Sequence, residues 1–111
     1  MQTKRQEIFI DILGISVVFG NMETMGTESY IQSQLEQGSS VTACTWNDNG
    51  TIKFAYSDRL DIGVLAHEIV HIVNMIFNAR GLKLDSNNDE FQAYLTGWLF
   101  KHLYDKIFLT V

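Results

Sequence analysis

The stretch that decides the fold is Asp61–Arg80, DIGVLAHEIVHIVNMIFNAR, which predicts one long helix. Its apolar residues recur at helical spacing, and the next residue is Gly81, a common left-handed helix terminator. The motif HEIVH, His67–His71, lies in its middle. Side chains four residues apart leave one face of a helix, so both imidazoles can bind one zinc ion at about 2.0–2.1 Å. Glu68 projects beside them, where it could act as a base on the water of that metal.

The competing interpretation is a core helix with two incidental histidines and a surface glutamate. Because the helix is apolar almost all round, its polar residues form only a narrow seam: His67, His71, Asn74 and Asn78. Burying the ionisable groups of the motif without partners costs on the order of several kcal/mol, and a bound metal removes that cost. The pattern therefore favours a metal site.

A second helix is predicted from Asp89 to Ile107, again with apolar residues at helical spacing. Its first turn carries Asp89 and Glu90, where the helix dipole favours carboxylates. Eighteen residues separate His71 from Glu90. The order H-E-x-x-H, eighteen residues, E resembles the ligand pattern of the gluzincin zinc metallopeptidases. The segment DEFQAY is similar to their N-E-x-x-A segment, with Asp in place of the more usual Asn. The chain looks closest to very short gluzincin-like proteins, several of them carried by phages and prophages.

This resemblance implies a zinc site with His67, His71 and Glu90 as ligands, one position open for water, and Glu68 as the general base of a peptidase. Asp89 is a candidate partner for the second ring nitrogen of a ligand histidine, although a helix N-terminal charge explains Asp89 equally well. Full-length gluzincins stabilise the oxyanion with a Tyr or His from a C-terminal domain that this sequence lacks.

Two tyrosines are candidates for that missing role, whereas His102, twelve residues after Glu90 and about 120° around the helix, is interpreted as a surface histidine. Tyr94 lies one turn after Glu90 on the same helical face, and Tyr56 ends a predicted strand.

The region before the motif predicts strands and one short helix. The predicted elements are a strand Gly14–Phe19, a helix Thr27–Gly38 with Thr27 as its N-cap, and strands Val41–Trp46 and Thr51–Tyr56 joined by the turn Asn47–Gly50. The segment Met1–Leu13 is ambiguous between a short helix and a strand. We therefore expect residues 1–111 to form a single α+β domain, similar to a small zincin. In it a short mixed sheet with an edge hairpin packs against the motif helix and a glutamate-bearing C-terminal helix.

The strand Val41–Trp46 occupies the place of the gluzincin edge strand, which receives the substrate backbone as an added antiparallel strand. The resemblance thus implies that Ala43, Cys44 and Thr45 bind substrate, whereas the alternative is an ordinary edge strand. Cys44 could block the zinc as a thiolate, or it could be a small buried hydrophobic residue.

Composition excludes several other classes of function. The formal net charge of −5 comes without a basic block, so we expect neither nucleic acid nor an anionic membrane as partner. A single cysteine excludes an internal disulfide and suits a reducing compartment. The apolar stretch Ile8–Phe19 is interrupted by Asp11 and lacks a cleavage site, so we expect no signal peptide and a cytoplasmic protein. Nothing in the sequence indicates the oligomeric state.

Two functions are compatible with these features. The first is a zinc-dependent peptidase that hydrolyses peptide bonds in a peptide or protein. The second is a catalytically weak or inactive gluzincin-like module, stabilised by zinc, that serves binding or assembly in a phage programme. Glu68 favours the enzyme because a structural zinc site needs no base. The absence of a clear oxyanion stabiliser favours the binding module.

Overall fold

The computed structural model describes residues 4–36 and 42–109, which form a four-stranded mixed sheet between helices. The strands are β1 Gln6–Ile10, β2 Ile15–Asn21, β3 Ala43–Asp48 and β4 Thr51–Tyr56. The helices are α1 Ser29–Glu36, α2 Ile62–Ala79 and α3 Glu90–Tyr104, and a π-helical turn, Asp105–Leu109, extends α3. The strand order is β1-β2-β4-β3, with β2 and β4 parallel and the other two pairs antiparallel. β1 and β3 are therefore the two edges of the sheet.

The predicted hairpin is confirmed: β4 has the predicted bounds, and β3 is two residues longer at the turn. Asn49 and Gly50 have φ angles of +51° and +91°, as a two-residue type I′ turn requires, so the ladder continues to the pair Asp48–Thr51. The prediction had treated Asn47 and Asp48 as part of the turn. Val41, the predicted first residue of β3, lies outside the described residues.

Side chains alternate along the strands between two hydrophobic cores. The larger core lies under α2 and α3 and takes Val17 and Phe19 of β2 and Phe54 of β4. The smaller core lies under α1 and takes the intervening residues, Val18 of β2 and Ala55 of β4. The central strands β2 and β4 are thus buried on both faces, and the edges of the sheet are its accessible parts.

Helix α2 has the bounds that the sequence predicts. Its N-cap Asp61 accepts a hydrogen bond from the Val64 N–H at 2.8 Å. Its C-terminus closes through Gly81, at φ +65°, and a hydrogen bond of 2.8 Å from the Leu82 N–H to the Phe77 carbonyl. Among the described residues α2 alone is long and apolar enough to cross a membrane, but one of its faces is buried in the larger core.

The structure also gives the bounds of the other predicted helices and the conformation of the ambiguous segment. The helix predicted from Thr27 begins instead at Ser29, and its predicted last residue, Gly38, lies outside the described residues. The ambiguous N-terminal segment supplies β1. α3 begins at Glu90, one residue after the predicted start, and ends in the π-helical turn. The predicted α+β class and mixed sheet with an edge hairpin are confirmed.

Candidate metal centre

The two histidines of the motif project together from α2. Their Nε2 atoms lie 3.2 Å apart, and the rings meet edge to face at 75°. Two nitrogens bound at about 2.0–2.1 Å to one tetrahedral zinc ion are themselves about 3.3 Å apart. The separation of the two nitrogens therefore fits a shared zinc ion, and it also fits a hydrogen bond between the two rings.

The surroundings of this pair differ from the predicted buried seam. His67 and His71 are both exposed, and the apolar side chain of Val70 between them is 53% exposed. α2 packs on the sheet through one face only, so its opposite face is open to solvent whatever its polarity. The desolvation argument for a metal was therefore wrong for the histidines, and the distance between their nitrogens is what supports the site.

Glu68 is the buried member of the motif. It is only 7% exposed, and its Oε2 accepts a hydrogen bond of 2.7 Å from the Thr45 hydroxyl on β3. A carboxylate with one fixed hydrogen bond has few orientations left, so Thr45 holds Glu68 beside the histidines. The sequence placed Thr45 near the site but did not predict this contact, because 23 residues separate the two side chains.

The strand β3 lies at the sheet edge, next to α2, as the substrate hypothesis requires. Thr42 accepts a hydrogen bond from the Ser57 N–H, and Asp48 pairs with Thr51 across the tight turn. Backbone groups alternate in direction along an antiparallel pair, so Ala43 and Thr45 direct theirs away from β4. The edge position is confirmed, and the substrate role of Ala43, Cys44 and Thr45 stays a prediction.

Cys44 faces away from the histidines, into the smaller core under α1 with Val18 and Ile31. Burial, followed by the negative charge of Glu68, raises the pKa of the thiol to about 11, against a smaller opposing effect of a backbone hydrogen bond with Ala55. A buried neutral thiol on the other side of the sheet is unsuited to block a metal. The structure thus favours the small hydrophobic residue over the inhibitory thiolate.

The predicted third ligand is not brought to the histidines. Among the side chains that the structure describes, those of residues 4–33 and 42–109, no three His, Cys, Asp or Glu residues converge closely enough to hold a metal ion. Glu90 is exposed at the start of α3, where the adjacent Phe91 stacks on Phe77 with ring centroids 5.8 Å apart. Phe77 lies six residues beyond His71, about 9 Å along the helix axis. This ring contact joins the start of α3 to the C-terminal half of α2.

Asp89 is the N-cap residue of α3, and its side chain makes no capping hydrogen bond. Its carboxylate is therefore not occupied by the helix end, which leaves both interpretations of Asp89 open.

The two candidate tyrosines lie elsewhere. Tyr94 is 74% exposed and lines a groove between α3 and the end of β1, at the sheet edge opposite β3. Tyr56 is fully buried, which raises the pKa of its phenol to about 12. The structure supports neither as an oxyanion stabiliser beside the histidines.

Comparison with known proteins adds no relative: no family model, no curated protein and no solved structure matches this chain. The resemblance to gluzincins therefore stays a prediction from the motif and its spacing.

Proposed function

We propose that this chain is a zinc-dependent peptidase in which His67 and His71 bind the metal and Glu68 is the general base. Glu90 completes the ligand set through a movement of the start of α3 toward the histidines when zinc binds. The observation that carries the proposal is the 3.2 Å separation of the two Nε2 atoms, with Glu68 buried beside them. A bound zinc would supply Lewis acidity, lowering the pKa of water toward about 7 and polarising the scissile carbonyl.

Glu68 carries the proton in this reaction. Its carboxylate takes a proton from the attacking water and later gives it to the amine that leaves when the C–N bond breaks. The hydrogen bond from Thr45 keeps the carboxylate oriented while it does so. Thr45 is in this sense a positioning residue.

The outward backbone of β3 binds the substrate by adding an extended peptide as a fifth strand. Ala43 and Thr45 supply the amide and carbonyl groups for that pairing. Cys44 contributes no group to this pairing, because its backbone faces β4 and its thiol points into the core under α1. Peptide added there would run alongside α2, which contacts β3.

Metal content tests the ligand set. The purified protein should hold about one zinc per chain, with nearly complete loss in His67→Ala and His71→Ala and strong loss in Glu90→Ala. Asp85→Ala is the matched control, because it removes an exposed carboxylate from the same connection between α2 and α3. Full zinc retention by the Glu90 variant would remove Glu90 from the ligand set while leaving the histidine pair in place.

Replacement of the base tests catalysis. Glu68→Gln keeps the size of the side chain and an acceptor for Thr45, so the variant should fold and bind zinc as the parent does. Cleavage of a broad peptide library should fall by at least about 10², the lower range for loss of general-base assistance. Equal cleavage by the two proteins would exclude Glu68 as the base.

A second candidate is the zinc-stabilised binding or assembly module. The observation in its favour is the position of Glu90, which lies at the start of α3 beside Phe77 rather than beside the histidines. This function would be supported if zinc bound the protein and raised its melting temperature while the protein cleaved no peptide. The cytoplasmic location stays a prediction from the sequence.

A further inference from the structure

An apolar groove lies at the β1 edge of the sheet, outside the candidate metal centre. Its volume is about 440 Å³, and the exposed Asp11 is part of its lining. Its exposed apolar lining residues are Phe9, Ile12, Phe91, Tyr94 and Trp98. We call these five residues the β1 groove. They belong to the end of β1, to the turn that follows it and to one face of α3.

The β1 groove is large for a surface that stays in water. Ile12 is 82% exposed and Tyr94 74%, while Phe9, Phe91 and Trp98 each expose two fifths or more. Because aromatic side chains have about 150–250 Å² of surface each, the exposed part of the groove is on the order of 500 Å². Patches of that size commonly mark interaction sites, and a standard interface buries about 800 Å² per partner. The groove with the neighbouring strand edge approaches this area.

The neighbouring edge offers unpaired backbone groups. β1 pairs with β2 on one side only, and the Ile10 carbonyl accepts a hydrogen bond of 2.8 Å from the Gly14 N–H inside the hairpin turn. The Ile10 backbone thus faces β2. Since directions alternate along the strand, Glu7 and Phe9 direct their N–H and C=O groups outward. An edge of this kind is a template for another strand.

We propose that the β1 edge and the β1 groove bind a second copy of this chain, with the two β1 strands antiparallel about a twofold axis at Ile8. This register pairs Glu7 of each copy with Phe9 of the other through their outward backbone groups. It also sets Arg5 of each copy opposite Asp11 of the other. Both of these charged residues are exposed, and Arg5 also contacts Glu28 of its own chain at 3.6 Å, so in the dimer Arg5 lies between two carboxylates. The ends of β1 are thus complementary in charge to themselves in this orientation only.

The dimer contains one eight-stranded sheet, with the two β1 strands at its centre. The two α3 helices lie side by side on one face, which covers Tyr94 and Trp98 of both copies. The two β3 strands become the outer edges, so the candidate metal centres lie far apart and their edges stay free. A twofold arrangement of this kind closes on itself and produces no fibre.

Sedimentation equilibrium of the intact protein tests the surface. The parent chain should dimerise at micromolar concentration, and Tyr94→Glu should raise the dissociation constant at least tenfold by placing a charge in the buried groove. The control is Ile62→Glu, which changes an equally apolar residue, 54% exposed at the start of α2. If the parent protein stayed monomeric up to millimolar concentration, the proposal would be wrong, and the groove would have to bind a different partner.

The charges at the ends of β1 test the register. Arg5→Asp and Asp11→Arg should each weaken the dimer, and the double variant should restore at least half of the lost association free energy. In hydrogen exchange, the Phe9 amide should become protected as the protein concentration rises, whereas the Thr45 amide should not. If neither charge reversal changed the dissociation constant of the dimer and the Phe9 amide stayed unprotected, the two copies would have to meet at another surface.

Discussion

The two edges of the sheet, β1 and β3, both have unpaired backbone groups, but they lie beside different helices. Each pairs with one strand only and directs alternate N–H and C=O groups outward. β3 lies beside α2, and the hydroxyl of its Thr45 donates a hydrogen bond to Glu68, the neighbour of the histidine pair in α2. β1 lies beside α3 and an apolar groove. Side chains of the adjacent helix, rather than the strand itself, therefore indicate a substrate at one edge and a second copy at the other.

The largest expected effect comes from proline at two adjacent positions of β3. Cys44→Pro removes an N–H that faces β4 and should lower the free energy of unfolding by about 3 kcal/mol or more. Ala43→Pro removes an outward N–H and should cost less than about 1 kcal/mol, because edge strands tolerate proline. Urea unfolding of both variants measures the difference. Equal losses would show that the register of β3 against β4 is not the one described.

The next effect concerns Thr45 and the buried carboxylate. Thr45→Val leaves Glu68 without its hydroxyl partner and should cost about 1.5–3 kcal/mol, the usual range for a hydrogen bond to a charged group. Thr45→Ser should recover most of that loss. The control is Thr51→Val on β4, whose hydroxyl has no carboxylate partner among the described side chains. A Thr45→Val protein as stable as the parent would mean that water replaces the hydroxyl at no cost.

A pair of edge variants then tests whether the two edges act independently. Ala43→Pro should weaken peptide cleavage or binding about tenfold or more and leave self-association unchanged. Phe9→Pro should do the reverse, because it removes an outward N–H from β1. Sedimentation and a peptide assay on the same two preparations measure both effects. If either variant impaired both properties, the two edges would have to be coupled through the sheet.

The smallest effect is a loss of stability at alkaline pH. The pKa of Cys44 is raised in the folded protein to about 11 from an ordinary 9. The contribution of this thiol to the free energy of unfolding is therefore fully present below pH 9 and is lost as the pH rises through 11. By pH 10 the free energy of unfolding should have fallen by about 1 kcal/mol. Tyr56, with a pKa near 12, adds to the loss above pH 10. Cys44→Ala should flatten the melting-temperature profile between pH 8 and 10, and an unchanged profile would assign the loss to other groups.

Local patterns predicted the parts of the molecule that depend on nearby residues. The bounds of α2 follow from Asp61 and Gly81, because a cap and a left-handed residue act within one turn. The convergence of His67 and His71 follows from helix geometry alone. The tight turn at Asn49 and Gly50 follows from their tolerance of positive φ. These features needed no knowledge of the rest of the chain.

Tertiary packing decided the rest. Periodicity orients side chains around their own helix axis, but it does not say which face of α2 meets the sheet, so an exposed histidine pair with a buried Glu68 was not foreseen. The bond between Thr45 and Glu68 needed β3 to lie beside α2. The spacing of Glu90 from His71 likewise did not predict that Phe91, the next residue, stacks on Phe77 at the C-terminal half of α2. Spacing along a chain sets directions within one element, whereas distances between elements come from the packing of their whole apolar surfaces.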